Sequence, residues 1–268
     1  MDSRHRSRDP TAGSLPAVDR SAPDRWWEPF RQVGGAHVFH VDLTPHAARE
    51  AAAFAWLDAA EKSRWQRFQH SPARRHFVLC RAALRSLLCE HLGCGNDLLS
   101  FGAAKHGKPF ALVDARPVPL AFNVSHSGQH GLIALAPAGR VGVDVEEYEQ
   151  HRKLDELIEA VFGPNEQAEM AALTGGDRVR LFFRLWTLKE AVAKALGTGL
   201  SFDVARFEIP AAIRSGATGG LFRIPQVPDV QWQLTDIGDE QFAAALAQEA
   251  PAGTDRAGSA GTGAPSVG

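Results

Sequence analysis

The sequence predicts an α+β protein made of two similar halves that meet near residue 140. The predicted elements run strand, helices and strands, and the same order then repeats. A chain of 268 residues is long enough to bury a substantial core. Hydrophobic residues make up 44% of the sequence and charged residues 22%, which is typical of soluble globular proteins.

We expect the two ends of the chain to carry no chemistry. Residues 1–35 are rich in Arg, Ser, Pro and Asp without periodicity, which predicts a disordered leader. Residues 251–268 are mostly Gly, Ala, Ser, Thr and Pro, which predicts a flexible tail. The chain between them is expected to divide into an N-terminal α+β half, residues 36–140, and a C-terminal α+β half, residues 141–250.

The N-terminal half is expected to begin with a strand at Val38–Leu43, where apolar and polar residues alternate. Helices follow, and a long one opens at Pro72 and closes at Gly93. A later strand at Leu120–Val124 should lead into a turn with the sequence Ser-His-Ser-Gly, residues 125–128.

Two carboxylates are expected to lie side by side on the strand that opens the C-terminal half. This strand, 140–146, is expected to form a hairpin with a strand at 130–136. Successive side chains of a strand point to opposite faces. Asp144 and Glu146 therefore share one face, and the three valines of the strand share the other.

A helix further along can add a third carboxylate. Apolar residues spaced three and four apart predict an amphipathic helix that ends at Gly197. Glu190 and Lys194 are four residues apart, so they share a face of this helix. Such a pair is often only a surface stabiliser. Together with Asp144 and Glu146, however, Glu190 would supply the oxygen ligands that suit Mg²⁺; the alternative is a strand of solvated acids.

The net charge of −2 gives no argument for binding nucleic acid, but charge is distributed unevenly. Between Glu61 and Arg85 there are seven Lys or Arg residues and one acid, whereas between Asp144 and Glu169 nine acids accompany two basic residues. The two blocks suit an anionic ligand on one side and a cation on the other, or else two solvated surfaces of opposite sign.

Ser125 and His126 do not form a plausible serine-hydrolase pair. The G-x-S-x-G motif is missing, and neighbouring side chains at a strand end point in opposite directions. A turn with hydroxyls, an imidazole and glycine amides is better suited to holding a phosphate. The Lys105–Pro109 segment is a second compact cationic turn, or simply a surface turn.

The sequence indicates a cytoplasmic protein that does not enter a membrane. The first residues are polar, with no secretory signal, and no apolar run approaches the length of a bilayer-spanning segment. Three cysteines without C-x-x-C spacing fit free thiols in a reducing compartment.

Four motifs, in this order, resemble those of the 4′-phosphopantetheinyl transferases, of the long surfactin-synthetase-activating (Sfp) type. They are G-K-P at 107–109, F-N-V-S-H-S-G at 122–128, V-G-V-D-V-E at 141–146, and R-L-W-T-L-K-E-A-V-A-K at 184–194 followed by G-T-G-L-S. The resemblance covers about residues 36–248. It implies a pseudo-dimer of two α+β halves with coenzyme A in the cleft between them, in a monomer with internal pseudo-two-fold symmetry.

The resemblance also implies roles for individual residues. Asp144, Glu146 and Glu190 match the ligands of Mg²⁺, with Mn²⁺ as the alternative metal, and Glu190 is either the third ligand or the base that deprotonates the carrier serine. Lys194 matches a catalytic lysine at the transferring phosphate. The positions that match coenzyme A-binding residues are Arg64, Arg75, Lys108, Pro109, Ser125, His126 and Lys194.

The implied reaction transfers the 4′-phosphopantetheine group of coenzyme A to a serine of apo acyl or peptidyl carrier proteins and releases adenosine 3′,5′-bisphosphate. The carriers would belong to secondary-metabolite or fatty-acid synthases. A metal-dependent pyrophosphate hydrolase and a non-catalytic carrier-protein or coenzyme A binding protein are the alternatives. Carrier proteins present acidic helices, so we expect a basic, apolar docking surface, with residues 154–180 as a candidate.

Overall fold

Two four-stranded antiparallel sheets form the centre of the molecule in a computed structural model, which describes residues 25–104, 106–149, 153–197 and 203–250. The strands of these two sheets are β1 (Trp27–Val33), β2 (Ala36–Asp42), β6 (Ala121–Ser127), β7 (His130–Ala136), β8 (Val141–Glu147), β9 (Gly219–Ile224), β10 (Val227–Asp236) and β11 (Phe242–Glu249). The first sheet has the order β1-β2-β7-β6 and the second β8-β11-β10-β9. A small third sheet contains β3 (Leu99–Ala103), β4 (Pro109–Val113) and β5 (Arg116–Pro117).

Helices connect and cover the sheets. In the described residues they are α1 (Ala47–Trp56), α2 (Ala59–Arg67), α3 (Ser71–Leu92), α4 (Leu154–Val161), α5 (Pro164–Ala171), α6 (Gly175–Leu196) and α7 (Ala211–Arg214), with a 3-10 turn at Val204–Arg206. None of these helices is long and apolar enough to cross a membrane.

The two halves repeat one arrangement. In each, a long helix packs on a sheet, and both α3 and α6 have 22 residues. Both helices end at a glycine in the left-handed region, Gly93 with φ 63° and Gly197 with φ 72°. A residue without Cβ adopts this conformation without strain, which explains the two helix ends. The expected α+β fold with two similar halves is therefore confirmed.

The molecule has four layers, in the order α3, first sheet, second sheet, α6. They stack in this way because the central strands have apolar side chains on both faces. One face of β2 and β7, with Phe39 and Ile133, packs against α3. Their other face, with Val38 and Leu132, packs against the valines of β8 in the second sheet. The far face of the second sheet packs against α6. This burial on both sides explains why β7 is almost wholly apolar.

The hairpin expected between residues 130–136 and 140–146 is wrong. β7 pairs with β2 and β6, whereas β8 pairs with β11 in the other sheet. The two strands instead stack face to face, because each has an apolar face that the other covers. The hairpin that does form joins β6 to β7 through Gly128 and Gln129, with Gly128 at φ 53°.

The disordered leader expected over residues 1–35 is too long. β1 begins at Trp27 and pairs with β2. The Trp27 ring packs edge-on against the Phe39 ring, with 5.8 Å between the ring centroids. The strand lacks a regular alternation, since only Trp27 is buried and the register shifts after Pro29. Residues 1–24 and the tail expected at 251–268 lie outside the described residues.

Strand β8 and helix α6 approach each other unusually closely at Gly142. A Cβ atom at this position would lie 2.1 Å from the carbonyl oxygen of Ala191 and 2.4 Å from the amide nitrogen of Ala195. Both atoms belong to the backbone of α6, so no side chain can move aside. The lack of a side chain at Gly142 thus sets the distance between the second sheet and α6.

We predict that Gly142→Ala lowers the free energy of unfolding by about 2 kcal/mol or more, because the helix has to move away from the strand. Gly176→Ala is the matched control: a Cβ there has no neighbour within 4 Å. Within a helix this change should be neutral or stabilising by up to about 1 kcal/mol. Urea denaturation compares the two. Equal midpoints for both variants would contradict the close contact.

Candidate active site

Three carboxylates lie at the interface of β8 and α6, which pack closely because Gly142 has no side chain. Asp144 and Glu146 project from the face of β8 that covers α6, and Glu190 projects from α6. Asp144 is 2% exposed, whereas Glu146 and Glu190 are half-buried. The three acidic residues singled out from the sequence thus lie at one interface, near enough for the charge of Asp144 to act on both of the others.

The Lys194 ammonium lies within this acidic cluster. Its Nζ donates to Asp144 Oδ1 at 2.5 Å and to Ser125 Oγ at 2.7 Å. The Ser125 hydroxyl also donates to Asp144 Oδ1, at 2.8 Å. One network thus joins β6 of the first sheet to β8 and α6 of the second half.

The pKa values of all three carboxyls are raised above their ordinary values, and burial is the largest cause in each case. The charge of Asp144 raises the pKa of Glu146 and Glu190 further, and Lys194 opposes this effect at both residues. A single ammonium therefore does not compensate three carboxylates. The cluster favours additional positive charge.

The donors in this cluster suit a hard divalent cation. Asp144 Oδ2 is buried and has no hydrogen-bond partner, so one carboxylate oxygen remains without a donor. Glu146 and Glu190 add carboxylate oxygens beside it, the ligand type that Mg²⁺ takes. Across the described part of the chain, no three His, Cys, Asp or Glu side chains already converge as a metal cluster. The residues fit a magnesium site in chemistry, without a preassembled ligand shell.

A cavity of about 220 Å³ lies on the N-terminal side of this network. Its walls combine aromatic and aliphatic side chains with cationic and imidazole groups. Three of the residues expected to bind coenzyme A line it, namely Arg64, Pro109 and His126. Ser125, the neighbour of His126, is directed instead to Asp144. Because side chains alternate along a strand, His126 faces the cavity and Ser125 faces the acidic cluster.

Arg75 is not among the residues that line the cavity. Its Nε donates to the carbonyl oxygen of Leu43 at 2.8 Å. The charge of Arg75 nevertheless contributes to lowering the pKa of the neighbouring His76, which does line the cavity. Arg75 therefore acts on a cavity residue through its charge without lining the cavity itself.

Sequence reasoning missed His76. Its ring centroid is 5.1 Å from that of His126, and both residues line the cavity. Burial lowers the pKa of both imidazoles. The charge of His126 lowers the pKa of His76 further, and the charge of Lys194 lowers the pKa of His126 further. The only signal in the sequence was the position of His76 directly after two arginines in the basic block.

The basic block does not form one surface. Arg85 is 1% exposed and donates to Glu61, with an Nη1–Oε2 distance of 3.0 Å, and to the carbonyl oxygen of Leu99. Glu61 is buried and also closes the capping box of α2 with Asp58. Arg85 is therefore part of the structural core, and an acidic residue at position 61 is its counterion.

The turn expected at residues 125–128 is shorter in the structure. Ser125, His126 and Ser127 belong to β6, and only Gly128 and Gln129 form the turn. The amide of Gln129 donates to Glu147 at 2.6 Å, so it is already occupied. The Gln129 amide of this turn is therefore not available to a phosphate.

The structure does not bring the Lys108 ammonium into the cavity. Nζ donates instead to three carbonyl oxygens, those of Val141, Lys194 and Ala195. Residues 154–180 likewise lack the expected basic surface. The residues that α4 exposes are largely acidic, namely Asp155, Glu156 and Glu159.

The acidic cluster adjoins a cavity with cationic walls, an arrangement whose chemistry suits a phosphate ester. Comparisons with known proteins specify the family. Residues 42–138 match the model "4′-phosphopantetheinyl transferase, N-terminal", and residues 140–247 match the model of the 4′-phosphopantetheinyl transferase superfamily. The 4′-phosphopantetheinyl transferase HetI of Nostoc sp. is 31% identical over 165 residues, which cover 62% of this chain and 70% of that protein. The chain belongs to the 4′-phosphopantetheinyl transferase superfamily.

Other relatives differ in how much of their length is matched. A phosphopantetheinyl transferase of Thraustochytrium sp. is 28% identical over 228 residues, covering 80% of this chain and 77% of that protein. The slr0495 protein of Synechocystis sp. is 39% identical over 147 residues, covering 55% of this chain and 59% of that protein. The chain thus matches less than two thirds of this last relative. The family expected from the four motifs is confirmed.

We predict that His76→Gln makes the protein less sensitive to acid. Because burial lowers the folded pKa of His76 below its ordinary 6.5, the unfolded chain takes up a proton first as the pH falls. The free energy of unfolding therefore declines as the pH falls through 6.5 towards the folded pKa. In urea denaturation at pH 7.5 and at pH 5.5, about one unit either side of the ordinary histidine pKa, His76→Gln should lose less stability than the wild type over this interval.

The matched control is His70→Gln, because His70 is exposed and its side chain does not cap α3. This variant should follow the pH dependence of the wild type. A His76→Gln profile that is indistinguishable from the control would contradict a half-buried imidazole with a lowered pKa at position 76.

Proposed function

We propose that this protein transfers the 4′-phosphopantetheine group of coenzyme A to a serine of apo acyl or peptidyl carrier proteins. Adenosine 3′,5′-bisphosphate is the second product. The observation that carries the proposal is the position of the acidic cluster beside the cationic cavity, with only β6 between them. A coenzyme bound in the cavity would direct its pyrophosphate towards Asp144 and Lys194, where the charged groups are concentrated.

The nucleotide end of coenzyme A is assigned to the cavity. Aromatic and aliphatic walls suit the adenine ring, and Arg64 and His126 suit the phosphates. Pro109 forms part of the same wall, and Arg75 adds positive charge beside His76. Ser125 is assigned to the pyrophosphate, since its hydroxyl already bonds the Lys194 ammonium.

The proposed chemistry is the displacement of one phosphate ester by another. The serine oxygen of the carrier forms a bond to the phosphorus that bears the pantetheine group. The bond from that phosphorus to the bridging oxygen breaks, and adenosine 3′,5′-bisphosphate leaves with the electron pair. Such a reaction depends mainly on positioning and on stabilising charge on the phosphate oxygens.

Glu190 is the proposed acceptor of the serine proton. Burial and the charge of Asp144 raise the pKa of Glu190, which makes its carboxylate a stronger base than an exposed glutamate. Its alternative role is that of the third metal ligand beside Asp144 and Glu146. Both roles require the carboxylate at this position.

Lys194 is the proposed source of fixed positive charge for the leaving group. In the structure its ammonium is held by Asp144 and Ser125, so it needs little reorganisation when charge develops nearby. Mg²⁺ or Mn²⁺ held by Asp144, Glu146 and Glu190 would supply further positive charge at the pyrophosphate.

Several finer features belong to the same proposal. We assign the protein to the Sfp type, with carriers from secondary-metabolite or fatty-acid synthases, and we propose a cytoplasmic monomer with pseudo-two-fold symmetry. We propose that the halves meet at residue 140, with the N-terminal half starting at β1.

The direct test incubates an apo carrier protein with this protein, coenzyme A and Mg²⁺ and measures the intact carrier by mass spectrometry. We predict a mass gain of one phosphopantetheinyl group, which EDTA prevents. Glu190→Gln should slow the transfer about 100-fold or more, since either proposed role is lost. Glu159→Gln is the matched control, because Glu159 is an exposed acid outside the cluster.

Other outcomes favour the alternatives. Cleavage of coenzyme A without modification of any carrier indicates a pyrophosphate hydrolase. Binding of coenzyme A with no cleavage and no mass gain across several carriers indicates a non-catalytic binding protein. Full activity of Glu190→Gln contradicts the assigned site while leaving the reaction intact.

A further inference from the structure

The ammonium group of Lys108 has an unusual set of partners. Its Nζ donates to the carbonyl oxygens of Val141 at 2.8 Å, Lys194 at 2.9 Å and Ala195 at 3.0 Å. These partners belong to β8 and to the last turn of α6. A lysine ammonium has three hydrogens to donate, and all three are used within the protein.

Two of these carbonyls are otherwise left over at the end of a helix. The last four carbonyl groups of an α-helix have no amide partner within the helix. Lys194 and Ala195 lie in the last turn of α6, which ends at Leu196. A cation at this end also interacts favourably with the helix dipole. Lys108 therefore caps α6 from a distant part of the chain.

Gly197 makes room for this cap. It is the C-cap of α6 at φ 72°, a conformation that favours glycine. A Cβ atom there would lie 2.9 Å from Cδ and 3.3 Å from Cβ of Lys108. The lysine side chain thus lies directly across Gly197. The backbone conformation and the position of the Lys108 side chain both favour glycine here.

We propose that Lys108 is a positioning residue that fixes the last turn of α6, and through it Lys194, rather than a ligand of the coenzyme phosphates. Lys194 is then held at both ends. Its main-chain carbonyl accepts from Lys108, and its ammonium donates to Asp144 and Ser125. This inference rests on the proposed function, because it assigns Lys108 a part in that reaction.

The surroundings of Lys108 agree with a structural clamp. Burial, helped by the nearby charge of Arg140, lowers the pKa of Lys108 to about 8, as expected for an ammonium largely removed from water. A phosphate ligand would need donors directed into the cavity. Those of Lys108 point to backbone oxygens, and the side chain is not among those that line the cavity. The clamp joins the G-K-P turn to β8 and α6.

The test uses Lys108→Met, which keeps the length of the side chain and removes its donors, and Lys108→Gln, which keeps an amide donor. Three quantities are measured: the Kd of coenzyme A by calorimetry, kcat for carrier modification, and hydrogen exchange of the amides at 193–197. For Lys108→Met we expect kcat to fall about tenfold, since charge-assisted hydrogen bonds to the turn that carries Lys194 are lost. The Kd should change less than about twofold, because no phosphate contact is lost.

Hydrogen exchange of the amides at 193–197 should be faster in Lys108→Met than in the wild type. Lys108→Gln should have values of kcat and of amide exchange between those of Lys108→Met and the wild type. Arg64→Met is the matched comparison, because Arg64 lines the cavity. It should weaken coenzyme A binding and leave exchange at the end of α6 as in the wild type. Lys153→Met, in an exposed ion pair with Glu156, controls for the loss of any lysine.

The proposal is overturned if Lys108→Met weakens coenzyme A binding as strongly as Arg64→Met does and leaves the exchange at 193–197 unchanged. Lys108 is then a phosphate ligand that changes partners when the coenzyme binds. Failure of the proposed function is a separate result, in which the wild-type protein modifies no carrier. The exchange and binding measurements decide the role of Lys108 even then, since neither needs a carrier protein.

Discussion

The site depends on one close contact, the approach of α6 to β8 at Gly142. With no side chain at this position, the backbone of the helix lies directly on the strand, opposite Ala191 and Ala195. The same approach places Glu190 and Lys194 beside Asp144. Gly142 lies on the same face of β8 as Asp144, and the contact residues Ala191 and Ala195 directly follow Glu190 and Lys194 in α6. Any change that separates the two elements therefore also disperses the charges.

The charged groups of the site are balanced only in part by the protein itself. Asp144 is almost fully buried and keeps one oxygen without a donor, and its charge raises the pKa of Glu190. The cations near the cavity are likewise close together, as Arg64 and Arg81 both line it. Holding like charges close together costs stability. A site of this kind gains most from a ligand that has a negative pyrophosphate and comes with a divalent cation.

The sequence predicts features that arise from local periodicity and misses those that depend on distant contacts. Alternation along β8 and the four-residue spacing in α6 are local, so they correctly indicated that Asp144 and Glu190 could share an interface. The sheet that β8 joins is decided by contacts with residues distant in sequence. The predicted hairpin was wrong because β8 packs face to face on β7 and pairs with β11. The partners of Lys108 are main-chain carbonyls 33 to 87 residues away. No side-chain pattern reveals such partners, because every residue has a carbonyl group.

The most direct test of this account is a crystal structure with coenzyme A and Mn²⁺, in which anomalous scattering locates the metal. The account predicts a manganese peak bound by Asp144 and Glu190, the nucleotide in the cavity beside His126, and Lys108 still bonded to the carbonyls at the end of α6. A metal bound away from the β8–α6 interface, or a nucleotide outside the cavity, would contradict it.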